Sequence, residues 1–215
     1  MQPKHPEHKT RQVRDAEATK AQILEAAMEE FAKHGLSGAR TEAIAKTAGV
    51  TTAMIYYYFE SKEGLYQTVL HRLAADINIE VPELSLTQLP AEEALKRLIE
   101  AFITYEAAHP YFSIILWQEA LQNQGKYYKD ASFQVGFNYL VSILERGMAE
   151  GCFRKLDPFL TAVHINGMCT FYFDAYNHLK YLNPGSDLRS PEMINNHMQE
   201  VIKLILGGVR DITNH

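Results

Sequence analysis

Residues 41–65 read TEAIAKTAGVTTAMIYYYFESKEGL. Thr41 is a good N-cap, and Ile44, Ala45 and Ala48 fall on one side of a short helix that Gly49 ends. Thr51 caps a second short helix through about Tyr57. Successive helical residues lie about 100° apart. Ile55 and Phe59 therefore share a face, and Tyr56 and Tyr57 point elsewhere. Exposed neighbouring tyrosines suit a half-wet contact with a partner surface, because each ring is apolar with a polar tip. Small Ala45 lets the two helices cross closely, Gly49 permits the turn, and Val50 and Ile55 pack inside. This is a helix-turn-helix pattern. The second helix is the candidate reader, since Thr51, Thr52, Ala53 and Met54 at its start are small or flexible enough to approach the floor of a DNA major groove.

On the N-terminal side, Thr19 to Gln22 forms a capping-box start, followed by Leu24, Ala27, Met28 and Phe31 at helical spacing until Gly35. Residues 1–18 are polar and unpatterned, and read as a flexible arm whose Lys4, Lys9, Arg11 and Arg14 have a minor groove or phosphates in reach. On the C-terminal side, Ser61 caps a longer helix with Leu65, Val69 and Leu73 toward about residue 80. The stretch VPELSLTQLP, 81–90, has two prolines and no helical period, and reads as a connector. Helices are then expected at about 91–108, 111–123, 127–150, 158–181 and 191–209. Asp157-Pro158 and Ser190-Pro191 each place a capping side chain before an N1 proline. The fold class is all-α, with an N-terminal three-helix DNA-binding domain over 19–65, a connecting helix to about 80, and a C-terminal helical bundle over 81–215.

Whole-chain properties agree with a globular protein. The 215 residues are 47% hydrophobic, enough for a core. Apolar runs are short and broken by charge, and the N-terminus has no apolar stretch, so neither a transmembrane helix nor a secretory signal is expected; the reading is cytoplasmic, with no membrane partner. The net charge is −5, but residues 1–70 hold nine Lys/Arg against nine Asp/Glu, so the acidity lies in the remainder. Cys152 and Cys169 are too few for a disulfide framework and lack metal-ligand spacing. No HExxH, GxSxG, GxGxxG or P-loop pattern occurs, so no enzyme, cofactor or metal is expected.

Residues 19–65 resemble the TetR family of bacterial transcriptional repressors. The resemblance is carried by Ile23-Leu24, Ala26-Ala27, Phe31 and Gly35, by Thr41, Ile44-Ala45 and Ala48-Gly49-Val50, and by Tyr56-Tyr57, Phe59, Lys62 and Leu65. It implies that Thr41 and Lys62 touch DNA phosphates and that Thr51, Thr52, Ala53, Met54, Tyr56 and Tyr57 lie in or beside the major groove. It also implies that Tyr58 reaches a phosphate from the groove edge, while Ile55 and Phe59 are core. Ala53 and Met54 stand where relatives often have Gly and a small hydroxyl residue. The reading helix has no Lys or Arg, so thymine-methyl contacts and threonine hydrogen bonds carry base discrimination.

By position, the resemblance further implies that the C-terminal helices bind a small effector and form a homodimer. Residues 160–179 are apolar on nearly every side, with Leu160, Val163, Gly167 and Phe171 on one face and Ala162, Ile165, Cys169, Tyr172 and Tyr176 on another, as for a helix buried on two faces. The last helix adds a stripe of Ile194, Met198, Val201, Ile202, Ile205 and Leu206. Candidate ligand contacts are Phe112, Leu116, Trp117, Phe133, Phe137, Met168, Phe171 and Tyr172, suited to an apolar or aromatic effector. The alternative is a helical interaction module or a redox sensor using Cys152 and Cys169.

Overall fold

The computed structural model describes residues 6–83, 85–129 and 133–211. Among them lie ten α-helices and no strand: α1 (Pro6–Gly38), α2 (Thr41–Ala48), α3 (Thr52–Phe59), α4 (Lys62–Glu83), α5 (Ala91–Ala108), α6 (Phe112–Asn123), α7 (Gln134–Ala149), α8 (Pro158–Asp174), α9 (Tyr176–Leu182) and α10 (Pro191–Val209). The residues fall into two compact units, 1–73 with 114–131, and 74–113 with 132–215. Residues of α4 and α6 belong to both.

In the first unit α1 packs on α2, and α2 on α3. Its core holds Ile23, Ala27 and Phe31 of α1, Ile44 and Ala45 of α2, Ile55 of α3, and Leu65, Tyr66, Val69 and Leu70 of α4. The buried face of α1 runs Ile23, Ala27, Phe31 in four-residue steps, and Leu24 and Met28 are only half-buried beside it. Helix α1 starts at Pro6, not Thr19. The Thr19 hydroxyl donates to the Asp15 carbonyl at 2.7 Å, a bond within a continuing helix rather than a cap. The expected arm is therefore helical from Pro6. Lys4 and the side chains of Lys9, Arg11 and Arg14 lie outside the described residues. Gly35, with φ 64°, interrupts α1 where a stop was expected.

A buried carboxylate fixes the first unit's α6 segment. Glu119 is fully buried and accepts from the Tyr66 hydroxyl at 3.1 Å, Asn123 Nδ2 at 2.6 Å and the Tyr127 backbone N–H at 2.7 Å. Burial and the adjoining carboxylate push the Tyr66 phenol well above its ordinary range. The Tyr66 ring also meets Phe31 edge-on at 4.9 Å and Tyr127 at 5.7 Å.

In the second unit α5 packs against α7, α8 and α10, and α8 against α7 and α10. Leu95, Leu98, Ile99, Leu144, Ala162, Ile165, Cys169, Ile202 and Ile205 form its centre. Pro90 cannot cap α5 with a side chain, and Glu150 from the end of α7 supplies the acceptor, taking the Ala91 N–H at 3.0 Å. The Asp157 and Ser190 caps form as expected, accepting from Leu160 and Met193 N–H groups at 2.8 and 3.3 Å. Helix α7 starts at Gln134 rather than 127, and the expected 158–181 helix breaks at Ala175 into α8 and α9.

Candidate nucleic-acid interface

The turn between α2 and α3 is built from the backbone outward. Gly49 has φ 68° and ψ 29°, the left-handed region where a Cβ is costly, and its N–H bonds back to Ala45 and Lys46 carbonyls. The Val50 N–H then reaches the Ala45 carbonyl at 3.0 Å. Thr51 caps α3 by accepting from the Met54 N–H at 3.4 Å, and Ser61 caps α4 by accepting from the Gly64 N–H at 2.9 Å. These four residues orient α3.

The four aromatics then separate by face. Ile55 is fully buried and Phe59 nearly so, whereas Tyr57 is 81% exposed and Tyr56 47%. Thr51 and Ala53 are exposed; Thr52, Met54 and Tyr58 are half-buried. The Tyr58 ring lies under the Lys20 ammonium of α1 at 5.7 Å and beside Tyr57 at 5.1 Å. With Glu17, Phe59, Thr68 and Arg72 it borders an open cleft of about 390 Å³.

Two residues expected at phosphates are otherwise engaged. Thr41 is buried, its hydroxyl 3.4 Å from the Tyr56 hydroxyl, and it follows Arg40, the residue that occupies the N-cap of α2 without a capping side chain. Thr41 is thus the first helical residue, not the cap, and it steadies Tyr56 from within. Lys62 donates through Nζ to the carbonyls of Ser37 and Ala39 at 3.3 and 3.1 Å, so its ammonium neutralises the negative end of α1. The nearby exposed cations are Arg40 and Lys46. Nothing in the residue pattern of α2 marked Arg40, because only the fold shows it at a helix start.

The candidate effector residues differ in burial, and they are divided between the two units. Phe112 and Phe133 are buried with ring centroids 6.1 Å apart. Phe137 is half-buried and meets exposed Phe159 at 5.7 Å. Tyr172 turns toward α10, stacking on His197 at 4.3 Å. Leu116 is half-buried, while Trp117, Met168 and Phe171 are exposed by 52%, 45% and 61%. Met168 and Phe171 share their exposed side of α8 with Leu160, Val163 and Gly167, opposite the buried Ala162, Ile165 and Cys169. Within this chain α8 is therefore buried on one face and exposed on the other, where burial on both was expected.

What the residue pattern missed is a polar cluster in the second unit. Glu106 of α5 is 3% exposed, accepts a hydrogen bond from Ser113, and lies close enough to Asp174 of α8 to feel its charge. Burial, reinforced by Asp174, pushes its carboxyl up to about 8. His197 of α10 bonds to the Cys169 backbone, and burial holds its imidazole below the usual value.

The cysteine alternative finds no support. The Cys169 thiol is fully buried and pushed up to about 12, and burial with Glu150 raises Cys152, whose thiol donates to the Gly147 carbonyl. Thiols held protonated are poor nucleophiles. Among the described residues no cluster of metal-ligating side chains occurs, and no helix is long and apolar enough to cross a membrane.

Comparison with known proteins fits this geometry. Residues 23–69 match the family model described as bacterial regulatory proteins, tetR family, and residues 91–205 match the tetracyclin repressor-like C-terminal domain. The HTH-type transcriptional repressor NicS of Pseudomonas putida is 35% identical over 163 residues, covering 73% of this chain and 76% of that protein. The HTH-type transcriptional repressor SCO4008 of Streptomyces coelicolor is 38% identical over 109 residues, 51% of this chain and 53% of that protein. Among solved structures, the ketosteroid transcriptional regulator KstR2 of Mycobacterium tuberculosis shares the fold with a TM-score of 0.71 at 23% identity, covering 89% of this chain and 95% of that one.

Proposed function

We propose that this chain, which belongs to the tetR family of bacterial regulatory proteins, is a transcriptional repressor. In this reading it binds a two-fold symmetric DNA site as a homodimer and leaves it when a small apolar or aromatic molecule binds among the C-terminal helices. The observation that carries the DNA-binding part is Tyr57, 81% exposed on a helix whose start, turn and inner face are otherwise satisfied. Thr51, Thr52, Ala53 and Met54 form the groove-facing start of α3, Tyr56 and Tyr57 its sides, and Tyr58 its edge beside Lys20. Thr41 acts by holding Tyr56. Lys62 sets the end of α1 and offers its remaining N–H to a phosphate.

Such an interface relies on phosphate contacts for affinity, so binding falls steeply with salt. A gel-shift series with DNA from around its own gene tests this. Retarded, salt-sensitive, sequence-selective complexes that Tyr57→Ala weakens are the expected outcome; equal binding by wild type and Tyr57→Ala at every salt concentration would overturn the assignment of α3.

A further inference from the structure

We infer that the effector is an organic cation, an apolar or aromatic molecule whose protonated nitrogen is taken up by Glu106 of the second unit. This rests on the effector reading above and gives it a chemical class. Glu106 is 3% exposed, and its Oε2 has no hydrogen-bond partner among the described residues. The groups that set its ionisation are its own burial, Ser113 of α6 and Asp174 of α8; none is a cation, and Asp174 carries the same sign. A buried carboxyl with no counter-charge is costly when ionised, which is why it holds its proton to about 8.

A second acceptor lies nearby. The bond from His197 to the Cys169 backbone favours the protonated ring, so the imidazole donates it, while its buried Nε2 has no partner among the described residues. Nε2 carries a lone pair rather than a proton in the neutral ring. Glu106 acts electrostatically on the Cys169 thiol, so both acceptors, one from α5 and one from α10, adjoin the same residue of α8. Aromatic residues accompany these groups: Tyr172 stacks on His197 at 4.3 Å, and Tyr105 and Phe112, the chain neighbours of Glu106 and Ser113, meet at 5.1 Å. His197 Nε2 accepts as it stands and Glu106 Oε2 accepts once its proton leaves, so with two carboxyl groups beside aromatic residues the cluster matches a cation bearing N–H donors. A carboxylate ligand would add a third negative group, and a neutral alcohol would gain no charge pairing.

The test uses the full-length protein and three probes with one ring and different heads: benzylammonium, benzyl alcohol and benzoate, titrated calorimetrically at neutral pH in two buffers of different ionisation enthalpy. Benzylammonium should bind about 10-fold or more tighter than benzyl alcohol, with benzoate weakest. Its binding should release a proton to the buffer, because pairing ionises Glu106. Glu106→Gln should remove both the preference and the proton release. Benzoate or benzyl alcohol binding as tightly as benzylammonium, an unchanged preference in folded Glu106→Gln, or binding by none of the three would overturn the inference. The wild-type order decides the matter if Glu106→Gln does not fold. Gel shifts without probe read the DNA-binding assignment separately, so either can fail alone.

Discussion

Tyr57 and Phe59 lie two residues apart on α3, and their exposures, 81% and 8%, give them opposite work. Tyr57→Ala should leave the melting temperature unchanged and weaken operator binding by about 1–3 kcal/mol, the worth of one good groove contact. Phe59→Ala should instead cost roughly 3–5 kcal/mol of stability as a buried ring replaced by a cavity. Circular-dichroism melts beside gel shifts separate the two, and a destabilised Tyr57→Ala would reverse the faces. This division was legible in the sequence, because helical periodicity alone fixes which residues share Ile55's side. Glu106 was not legible: its neighbours Ser113, Asp174 and Cys169 come from other helices, and no local pattern marks a carboxyl for burial. Its pH signature follows from linkage. A carboxyl raised to about 8 from 4.5 means that the folded protein keeps a proton that the unfolded chain has lost. Its stability contribution is therefore present at low pH and declines between those values, by up to about 1.4 kcal/mol per pH unit. Chemical denaturation of wild type should fall relative to Glu106→Gln as pH rises through this window, with the difference constant above it; a constant difference throughout would show that the carboxyl is ordinary.

At the scale of elements, helix starts that use a side chain were readable, and those that use geometry were not. Thr51, Ser61, Asp157 and Ser190 cap α3, α4, α8 and α10 as their residue types suggest. Thr41 misled because its hydroxyl turns inward to Tyr56, and Thr19 because its hydroxyl bonds to the preceding turn of a longer helix. The polar 6–18 segment of α1 shows no apolar stripe, so periodicity had nothing to report there. The junction of α3 and α4 carries a sharper test. A Cβ on Gly64 would lie 2.3 Å from the Phe59 carbonyl oxygen, a backbone atom that cannot swing aside. Helix propensity favours alanine over glycine by about 1 kcal/mol. Gly64→Ala should nonetheless destabilise the first unit and weaken DNA binding, because the clash tilts α3 against α4. A thermally stabilised Gly64→Ala would show that α4 can move back without cost.

At the scale of the whole molecule, the exposed side of α8 is the face we expect to carry the assembly. Leu160, Val163, Met168 and Phe171, exposed by 44–61%, recur at helical spacing around Gly167, whose missing side chain leaves open space. Exposed His164 lies among them, and a largely apolar face of this kind on a folded chain marks an interface. A second copy is the natural occupant, since one patch related by a two-fold axis is self-complementary. Two reading helices set by that axis would engage half-sites about one helical turn apart, ~34 Å or a multiple. Linking two weak half-site contacts raises affinity by about 10²–10⁴ through effective concentration alone. Phe171→Glu places a charge on the most exposed residue of this face, and Phe171 is neither on α3 nor in the Glu106 cluster. Sedimentation should therefore show wild-type dimer becoming monomer, the monomer's helix content should be preserved, and operator affinity should drop by about 10²-fold or more. A Phe171→Glu protein that stays dimeric and keeps its operator affinity would place the subunit interface elsewhere and leave this apolar face without its partner.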